Sequence, residues 1–471
     1  MATIVKQAAQ SKNIVQAHRS YEDIIHFLDT NWHTKTSHSL DAIRQLDALL
    51  DYPSRAQHTI LISGTNGKSL TAHFLTSLLH EEGITAGIYT APHIHTYNER
   101  LSLRNEHISN ELFTQFGNSI LTIAEHEKIN LSSSELLTLM ALLYCKHAGV
   151  DVAVLEVATY DADPTFVCTP QIMAITRLTE TSEIHQQQTA QIMQTLTRAL
   201  SKDSWVVSAD QSKLNLQIMA DCIQQHGCNW AMPIRKLTAL PYPFEQLHGR
   251  AAALAERIAH LYVTNFVLPH ETIVNESLLV KPKGHRGRPT LEAKRNSELN
   301  PRRSLTNFWQ ETATPPTGRF QIIEQEHPTV LLDNASNLDA LKNLLLGIRL
   351  LHYQRPIKGL ALIMGCHADT LEREEFLKVI RYFFKKTSGH IIFYPVAPET
   401  RDSRGTKISW NVEQITNSVK NMKMKARASK SFEDAFSYAI KHADERNGLI
   451  VISGSNMALR EYWNYRTARD A

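Results

Sequence analysis

The feature that most constrains this chain is LISGTNGKSLTAHFLTSLL at residues 61–79, where a strand, a short loop and a helix follow one another. Apolar residues lead up to Ser63, and after the loop they recur at helical spacing. The loop, which we call the phosphate loop, consists of Gly64, Thr65, Asn66, Gly67, Lys68 and Ser69. A strand that passes through glycines into a helix is the setting in which backbone N–H groups bind phosphate.

Each part of the phosphate loop suits a nucleotide phosphate for a physical reason. Glycines let N–H groups turn toward phosphate oxygens, and the N-terminus of the helix adds partial positive charge. Lys68 can reach the terminal phosphates, and the Ser69 hydroxyl can bind Mg²⁺. Only two residues separate Gly64 from Gly67, where the common spacing has four. The prediction of phosphate binding therefore depends on the strand–loop–helix context as much as on the motif.

Strand-like and helical segments alternate along the first part of the chain. The strand-like segments are 58–63, 83–90, 150–158, 171–178 and 204–210, and the helical ones are 40–50, 69–81 and 135–149. The segment VDVAVLEVA at 150–158 is almost continuously apolar, which is typical of a strand buried on both faces of a parallel sheet. We therefore predict an α/β fold with a doubly wound parallel sheet of the P-loop NTPase type.

A second α/β unit follows, because 471 residues are too many for one core. Its predicted strands are 328–336, 358–366, 390–396 and 448–455, with helical segments at 338–351 and 371–386 between them. We expect a first domain at 1–312 and a smaller, Rossmann-like domain at 313–471.

The segment 281–303, KPKGHRGRPTLEAKRNSELNPRR, interrupts the α/β pattern with eight Lys or Arg residues against two Glu. It is either a solvated insertion in the first domain or a surface for a polyanion. It has no aromatic residues, so a platform for single-stranded nucleic acid is not supported.

The composition excludes several classes of protein. A net charge of +3 on this length gives no reason to expect a nucleic-acid partner. The N-terminal residues lack the apolar core of a signal peptide, and no apolar run approaches the roughly 20 residues of a membrane helix. Five scattered cysteines without a CxxC pair suit a reducing compartment. We expect a cytoplasmic protein without a membrane partner.

Several motifs give the chain a family resemblance. The sequence GTNGK of the phosphate loop resembles the loop of the ATP-dependent Mur ligase superfamily. The segment GIYTAPHIHTYNERLSLRNEHIS at 87–109 is similar to the folylpolyglutamate synthase/dihydrofolate synthase branch, which has Tyr-Thr-Ser-Pro-His followed by Asn-Glu-Arg. Further segments fall in the order of that family: VDVAVLEV (150–157), LHGR (247–250), GRF (318–320), LLDNASN (331–337), LIMGCHAD (362–369) and IVISGS (450–455).

The resemblance implies a Mur ligase architecture and an amide ligase. ATP would phosphorylate a carboxylate of a pteroate or folate substrate, and L-glutamate would attack the acyl phosphate, with Mg²⁺ offsetting the charge. The family also implies a monomer. Residues that match its ATP contacts are Gly64, Thr65, Asn66, Gly67, Lys68, Ser69, Arg319 and Asp333. Ser69 and Glu156 match metal ligands, and Lys68 and Glu156 match the catalytic positions.

The chain departs from the family around the expected metal site. Ala91 stands where the family has a serine that binds Mg²⁺. Ser182 stands where it has a histidine, although His185 follows closely, and Thr197 stands near the position of a carbamylated lysine. Two hypotheses follow: a divergent but working ligase, which we favour, and a homologue that binds nucleotide without ligating. A small-molecule kinase fits less well, because the second domain carries Arg319 and Asp333.

Overall fold

The computed structural model describes residues 18–32, 39–104, 106–159, 162–178, 186–267, 277–279, 304–312, 315–368, 373–398 and 407–470. The basic segment 281–303, Ser182 and His185 lie outside the described residues. Within these ranges, no helix has the length and hydropathy needed to cross a lipid bilayer.

The first sheet has eight strands, in the order β4-β3-β2-β5-β1-β6-β7-β8. Their bounds are His58–Ser63 (β1), Ala86–Tyr89 (β2), Leu101–Leu103 (β3), Glu106–His107 (β4), Val152–Val157 (β5), Ile172–Ile175 (β6), Trp205–Ser208 (β7) and Asn229–Trp230 (β8). The strands from β2 to β8 in this order run parallel, whereas β3 and β4 form an antiparallel edge. The sequence did not predict β3, β4 or β8, because runs of two or three residues carry too little alternation to be recognised.

Apolar residues on alternate positions of the central strands face opposite sides of this sheet. In β1, Leu61 packs in the core on one face, whereas Ile60 and Ile62 pack on the other. In β5, Leu155 and Val154 divide in the same way. This two-sided burial explains why the strands read as continuous apolar runs, and it confirms the doubly wound sheet.

Helices cover both faces of the sheet. Their bounds are Tyr21–Thr30, Ser39–Leu49, Lys68–Glu81, Asn110–His126, Ser133–Ala148, Pro164–Val167, Gln186–Thr197, Lys213–His226, Phe244–Phe266 and Leu305–Thr312. The helix Ser133–Ala148 shows how the sequence sets its ends. The Ser132 hydroxyl accepts a hydrogen bond from the Glu135 N–H, and Gly149 ends the helix with a φ of 63°.

The second sheet has six strands, in the order β13-β12-β11-β14-β10-β9. Their bounds are Gln321–Ile323 (β9), Thr329–Asp333 (β10), Leu360–Met364 (β11), His390–Phe393 (β12), Ala426–Ala428 (β13) and Leu449–Ser453 (β14). Only β9 runs antiparallel to its neighbour, at the edge of the sheet. The helices beside this sheet are Leu338–Gln354, Arg373–Phe384, Val412–Asn421, Phe432–His442 and Asn456–Asp470.

The change from one core to the other lies in the region of the expected boundary at residue 312. Trp309 packs edge to face on Phe74 in the first domain, with ring centroids 5.2 Å apart. Phe320 packs in the core of the second domain. These contacts support a boundary between the two aromatic residues, and residue 312 remains our proposal for it.

Candidate active site

The carboxyl ends of both parallel sheets face one cavity of about 850 Å³ between the two domains. In the first sheet, β1 lies between β5 and β6, so the chain leaves neighbouring strands toward the same edge. In the second sheet, Asp333 ends β10 at the edge that faces the cavity. Every residue of the predicted site lines this cavity: Gly64, Thr65, Asn66, Gly67, Lys68, Ser69, Glu156, Arg319 and Asp333.

The phosphate loop can adopt its shape because of its glycines. Gly64 has a φ of 132°, and a Cβ atom there would lie 2.2 Å from the Thr176 Oγ1 atom and 3.0 Å from the backbone of Arg177. The backbone closes the loop against β6, because the Thr65 N–H donates to the Arg177 carbonyl at 2.6 Å. Gly67, with a φ of 89°, then starts the helix Lys68–Glu81. No other residue type fits the position of Gly64 without moving Thr176 and Arg177, which follow β6.

Lys68, Ser69 and Glu156 form a compact polar group at the start of that helix. The Ser69 hydroxyl donates to the Glu156 Oε2 atom at 2.8 Å, and the Lys68 Nζ atom lies 3.6 Å from Oε1. Lys68 also donates to the Gly64 carbonyl at 2.8 Å. Glu156 is only 4% exposed, so its charge depends on these partners for stabilisation.

The oxygen atoms of Ser69 and Glu156 suit a divalent cation that is shared with phosphate. Mg²⁺ takes one or two protein carboxylates and completes its shell with phosphate oxygens and water. Among the described residues, no group of three His, Cys, Asp or Glu residues is arranged as a metal cage. The backbone N–H of Ala91 donates to the Glu156 Oε2 atom at 3.3 Å. Ala91 thus orients the carboxylate, although its side chain has no oxygen to offer a metal.

The second domain contributes Arg319 and Asp333 to the opposite wall. The Phe320 N–H donates to the Asp333 Oδ2 atom at 2.8 Å. Burial raises the pKa of Asp333 to about 6, although the charge of Arg319 and the hydrogen bonds from the Phe320 and Ala335 N–H groups oppose the shift. Gly318 and Phe320 have φ values of 71° and 50°, so Arg319 lies in a tight turn that fixes where its side chain starts.

Sequence reasoning missed a neutral histidine near Arg319. His248 is 5% exposed, and its ring stacks on Phe244 with centroids 5.5 Å apart. Burial lowers the pKa of His248 to about 4, and Arg319 adds to the lowering. The residue lies within the LHGR motif, which was the signal available in the sequence. Its ring therefore offers the cavity an uncharged surface at neutral pH.

The phosphate loop is also tied directly to the second domain. Asn66 donates to the Asn337 Oδ1 atom at 3.1 Å and to the Asp339 Oδ2 atom at 2.9 Å. Asn337 donates back to the Asn66 Oδ1 atom at 2.8 Å. Arg177 forms an ion pair with Asp339 at 2.8 Å. No local pattern in the sequence predicts these contacts, since they join residues more than 150 positions apart.

A further part of the cavity wall, which we call the substrate end, comes from the first domain. It consists of Trp32, Tyr89, Arg100, Ser134 and Thr138. This group combines aromatic rings, hydroxyls and one guanidinium. This surface suits an organic substrate with an aromatic part and an anionic group.

Three residues at positions that the family motifs draw attention to do not line the cavity. Thr197 is buried, and its hydroxyl donates to the Met193 carbonyl of its own helix at 2.8 Å. Asn98 donates to the Ile108 carbonyl at 2.7 Å, which closes the loop after β2. His93 accepts a hydrogen bond from Arg100 at 3.0 Å. Asn98 and His93 therefore support the wall of the cavity from behind, whereas Ser336 of the LLDNASN segment lines the cavity.

Comparison with known proteins agrees with this architecture. Residues 318–456 match the family model "Mur ligase, glutamate ligase domain". A crystal structure of the bifunctional folylpolyglutamate synthase/dihydrofolate synthase from Yersinia pestis, complexed with AMPPNP and Mn ion, superposes with a TM-score of 0.72. It is 20% identical and covers 96% of this chain and 99% of its own. The two domains and the cavity between them therefore define a protein of the Mur ligase architecture.

Sequence relatives narrow the class further. The dihydrofolate synthase/folylpolyglutamate synthase of Haemophilus influenzae is 36% identical over 118 residues, which are 25% of this chain and 26% of the relative. A probable bifunctional folylpolyglutamate synthase/dihydropteroate synthase of Haloferax volcanii is 25% identical over 331 residues, 68% of this chain and 38% of the relative. These relatives agree with the resemblance to the folylpolyglutamate synthase/dihydrofolate synthase family that the sequence motifs indicate. The chain spans about a quarter to two fifths of the length of these curated relatives.

Proposed function

We propose that this protein is an ATP-dependent ligase that joins L-glutamate to a carboxylate of a pteroate or folate substrate. The observation that carries the proposal is the shared cavity, in which Lys68, Ser69 and Glu156 of one domain face Arg319 and Asp333 of the other. A phosphate loop alone would fit many nucleotide-binding proteins. The wall formed by the second domain, together with the resemblance to folylpolyglutamate and dihydrofolate synthases, favours transfer of phosphate to a substrate held between the domains.

The reaction would form and break bonds in two steps. A carboxylate oxygen of the pteroate or folate attacks the γ-phosphorus of ATP, and ADP leaves. The amino group of L-glutamate then attacks the acyl carbon, phosphate leaves, and the nitrogen loses a proton. Neither step needs a covalent bond to the protein, so catalysis consists of positioning and charge compensation.

The residues of the cavity have distinct parts in this proposal. N–H groups of the phosphate loop and the Lys68 ammonium bind the phosphates of ATP. Arg319 donates to the nucleotide from the opposite domain, because a guanidinium binds phosphate in a fixed fork. Asp333 accepts the Phe320 N–H at 2.8 Å and so holds the turn that carries Arg319.

A divalent cation is part of the proposal, and we assign it as Mg²⁺. Ser69 and Glu156 would hold it with the phosphates, and the neighbouring Ala91 N–H would keep the carboxylate oriented. The cation would neutralise charge that develops on the transferring phosphoryl group. The Mn ion and AMPPNP bound to the Yersinia pestis enzyme support a nucleotide and a divalent cation in this architecture.

The experiment that tests the function is product formation by the purified protein. It is incubated with ATP, Mg²⁺, L-glutamate and either dihydropteroate or tetrahydrofolate, and ADP and the glutamyl product are measured. We expect ADP only when both co-substrates are present, and we expect Lys68→Ala to abolish ATP binding. ADP that forms without them, or ATP binding with no product for either pterin, would instead support a nucleotide-binding homologue that does not ligate.

We further propose that the protein works as a cytoplasmic monomer, since the family implies this state. Light scattering on the eluting protein, with and without ATP, measures the mass in solution. A mass of 53.4 kDa agrees with the proposal, and twice that mass contradicts it.

A further inference from the structure

Arg100 is a buried cation in the wall of the proposed substrate end of the cavity. It ends the 3₁₀ turn Tyr97–Arg100 after β2 and is 2% exposed. Among the described residues, none of the ion pairs involves Arg100, and its buried Nη2 atom has no hydrogen-bond partner. A buried charge without a counter-charge is costly, so its retention requires an explanation.

The protein holds this guanidinium in place by means other than charge. The Arg100 Nε atom donates to the His93 Nδ1 atom at 3.0 Å. The guanidinium carbon lies 5.3 Å from the Trp32 ring centroid and 5.2 Å from that of Tyr97. Cation–π contacts and the neutral partners His93 and Tyr89 orient the group without pairing it with a negative charge. A site with this character is pre-organised for an anion.

The surroundings place Arg100 close to the proposed reaction centre. Tyr89 lies opposite Leu155 in the pairing of β2 with β5, so it is next to Glu156. Burial raises the pKa of the Tyr89 hydroxyl, whereas the charge of Arg100 and a hydrogen bond with its guanidinium oppose the increase, so the two groups are neighbours. The charges of Asp163 and Glu156 add to the increase.

Ser134 and Thr138, one turn apart on the helix Ser133–Ala148, also line the cavity and carry no charge. Among Trp32, Tyr89, Arg100, Ser134 and Thr138, the group described above, Arg100 is the one cation. Lys68 is held at the phosphate loop by the Gly64 carbonyl and Glu156.

We propose that Arg100 is a carboxylate-binding residue that receives the substrate carboxylate and positions it beside the phosphate loop. This inference rests on the proposed function, because it takes the acceptor to be pteroate or folate. The incoming L-glutamate offers the same chemistry, so the carboxylate of either substrate is the ligand to be distinguished. In both cases the fork of the guanidinium orients a planar carboxylate better than an ammonium would.

The test compares ligands that differ only in the carboxyl group. Dihydropteroate and its analogue with hydrogen in place of that group are titrated by calorimetry into wild type, Arg100→Met and Arg100→Lys, each with AMPPNP and Mg²⁺. We expect wild type to prefer the carboxylate by about 10- to 100-fold, the range for a charge-assisted hydrogen bond in a buried site. Arg100→Met should lose the preference while binding the analogue as wild type does, and Arg100→Lys should retain part of it.

A second measurement shows whether Arg100 binds the carboxylate of the pterin or that of L-glutamate. A matched variant controls for the loss of arginine packing on an aromatic ring. The KM for L-glutamate is measured for each variant at saturating pterin, since a loss confined to glutamate would assign the subsite to the amino acid. Arg198 stacks on the Phe166 ring at 4.5 Å and does not line the cavity, so Arg198→Met removes a similar contact elsewhere. We expect wild-type ligand preference from that control.

The outcomes separate this inference from the proposed function. If wild type ligates and Arg100→Met keeps its preference for the carboxylate, or weakens both ligands equally, Arg100 is structural and the inference is wrong. If wild type forms no product, the calorimetry is repeated with benzoate and benzamide in place of the two pterin ligands. A preference for benzoate that Arg100→Met abolishes then supports the subsite while the function fails. Should Arg100→Met not fold, the same comparisons with Arg100→Lys decide.

Discussion

Asn66 of the phosphate loop and Asn337 of the second domain exchange two side-chain hydrogen bonds, 2.8 and 3.1 Å long. The Asn337 side chain also caps the helix Leu338–Gln354 by accepting the Ala340 N–H at 3.0 Å. One residue thus links the N-terminus of a helix in one domain to the phosphate loop of the other. The conformation of the loop is therefore coupled to the position of the second domain.

We predict that Asn337→Ser loosens the phosphate loop. Serine keeps the helix cap but is too short to bond Asn66, so one to two hydrogen bonds worth about 1 kcal/mol are lost. Hydrogen exchange of the amides at 64–69 should accelerate about fivefold. Asn411 also caps a helix, Val412–Asn421, and Asn411→Ser is the matched control. Equal exchange in both variants would show that the loop does not depend on this pair.

Gly64→Ala should weaken ATP binding without unfolding the protein as a whole. The new Cβ atom would lie 2.2 Å from Thr176 Oγ1, at a φ of 132° that alanine disfavours. The loop must then move, and we expect affinity for a fluorescent ATP analogue to fall by at least about tenfold, since strain of this kind costs 1–3 kcal/mol. Gly83→Ala controls for backbone strain, because Gly83 has a φ of 76° and open space around it. Wild-type affinity in Gly64→Ala would contradict the geometry of the loop.

Glu156→Gln should remove ligation while leaving the fold intact. The amide keeps the volume and an acceptor for Ser69, but it lacks the charge that a divalent cation requires. We expect kcat to fall by about 10²-fold or more, as for loss of one preorganised charged group. Glu256, which accepts hydrogen bonds from Thr238 and Trp309 away from the cavity, gives the control Glu256→Gln. Mg²⁺-dependent turnover that survives in Glu156→Gln would disprove the metal assignment.

The elevated pKa of Asp333 predicts a pH-dependent stability with a definite sign. In the folded protein the pKa is about 6, above the ordinary value of 3.8, so the folded state binds more protons than the unfolded state between these values. Stability contributed by this group is therefore present at low pH and is lost as pH rises toward 6. The melting temperature of wild type minus that of Asp333→Asn, measured without nucleotide, should decrease from pH 4 to pH 7. A difference that stays constant, or increases, over this interval would show that Asp333 is not shifted upward.

The local pattern of the sequence determined the elements that carry the site. Continuous apolar runs predicted β1 and β5, because strands buried on both faces need apolar residues at every position. Glycines between a strand and a helix predicted the phosphate loop, since only that setting turns N–H groups toward a phosphate. The motifs indicated the family resemblance and the candidate residues Glu156, Arg319 and Asp333, all of which line one cavity.

Contacts across long chain separations were decided by the tertiary structure alone. The pairing of Asn66 with Asn337 and the burial of Arg100 between Trp32 and Tyr97 depend on how elements distant in sequence pack. Scattered polar side chains give no periodic pattern in the sequence. A hydrogen bond between domains therefore cannot be predicted from the residues near either partner. Burial likewise sets the pKa values of Asp333 and His248, because the cost of removing a charge from water is fixed only when the surrounding protein is in place.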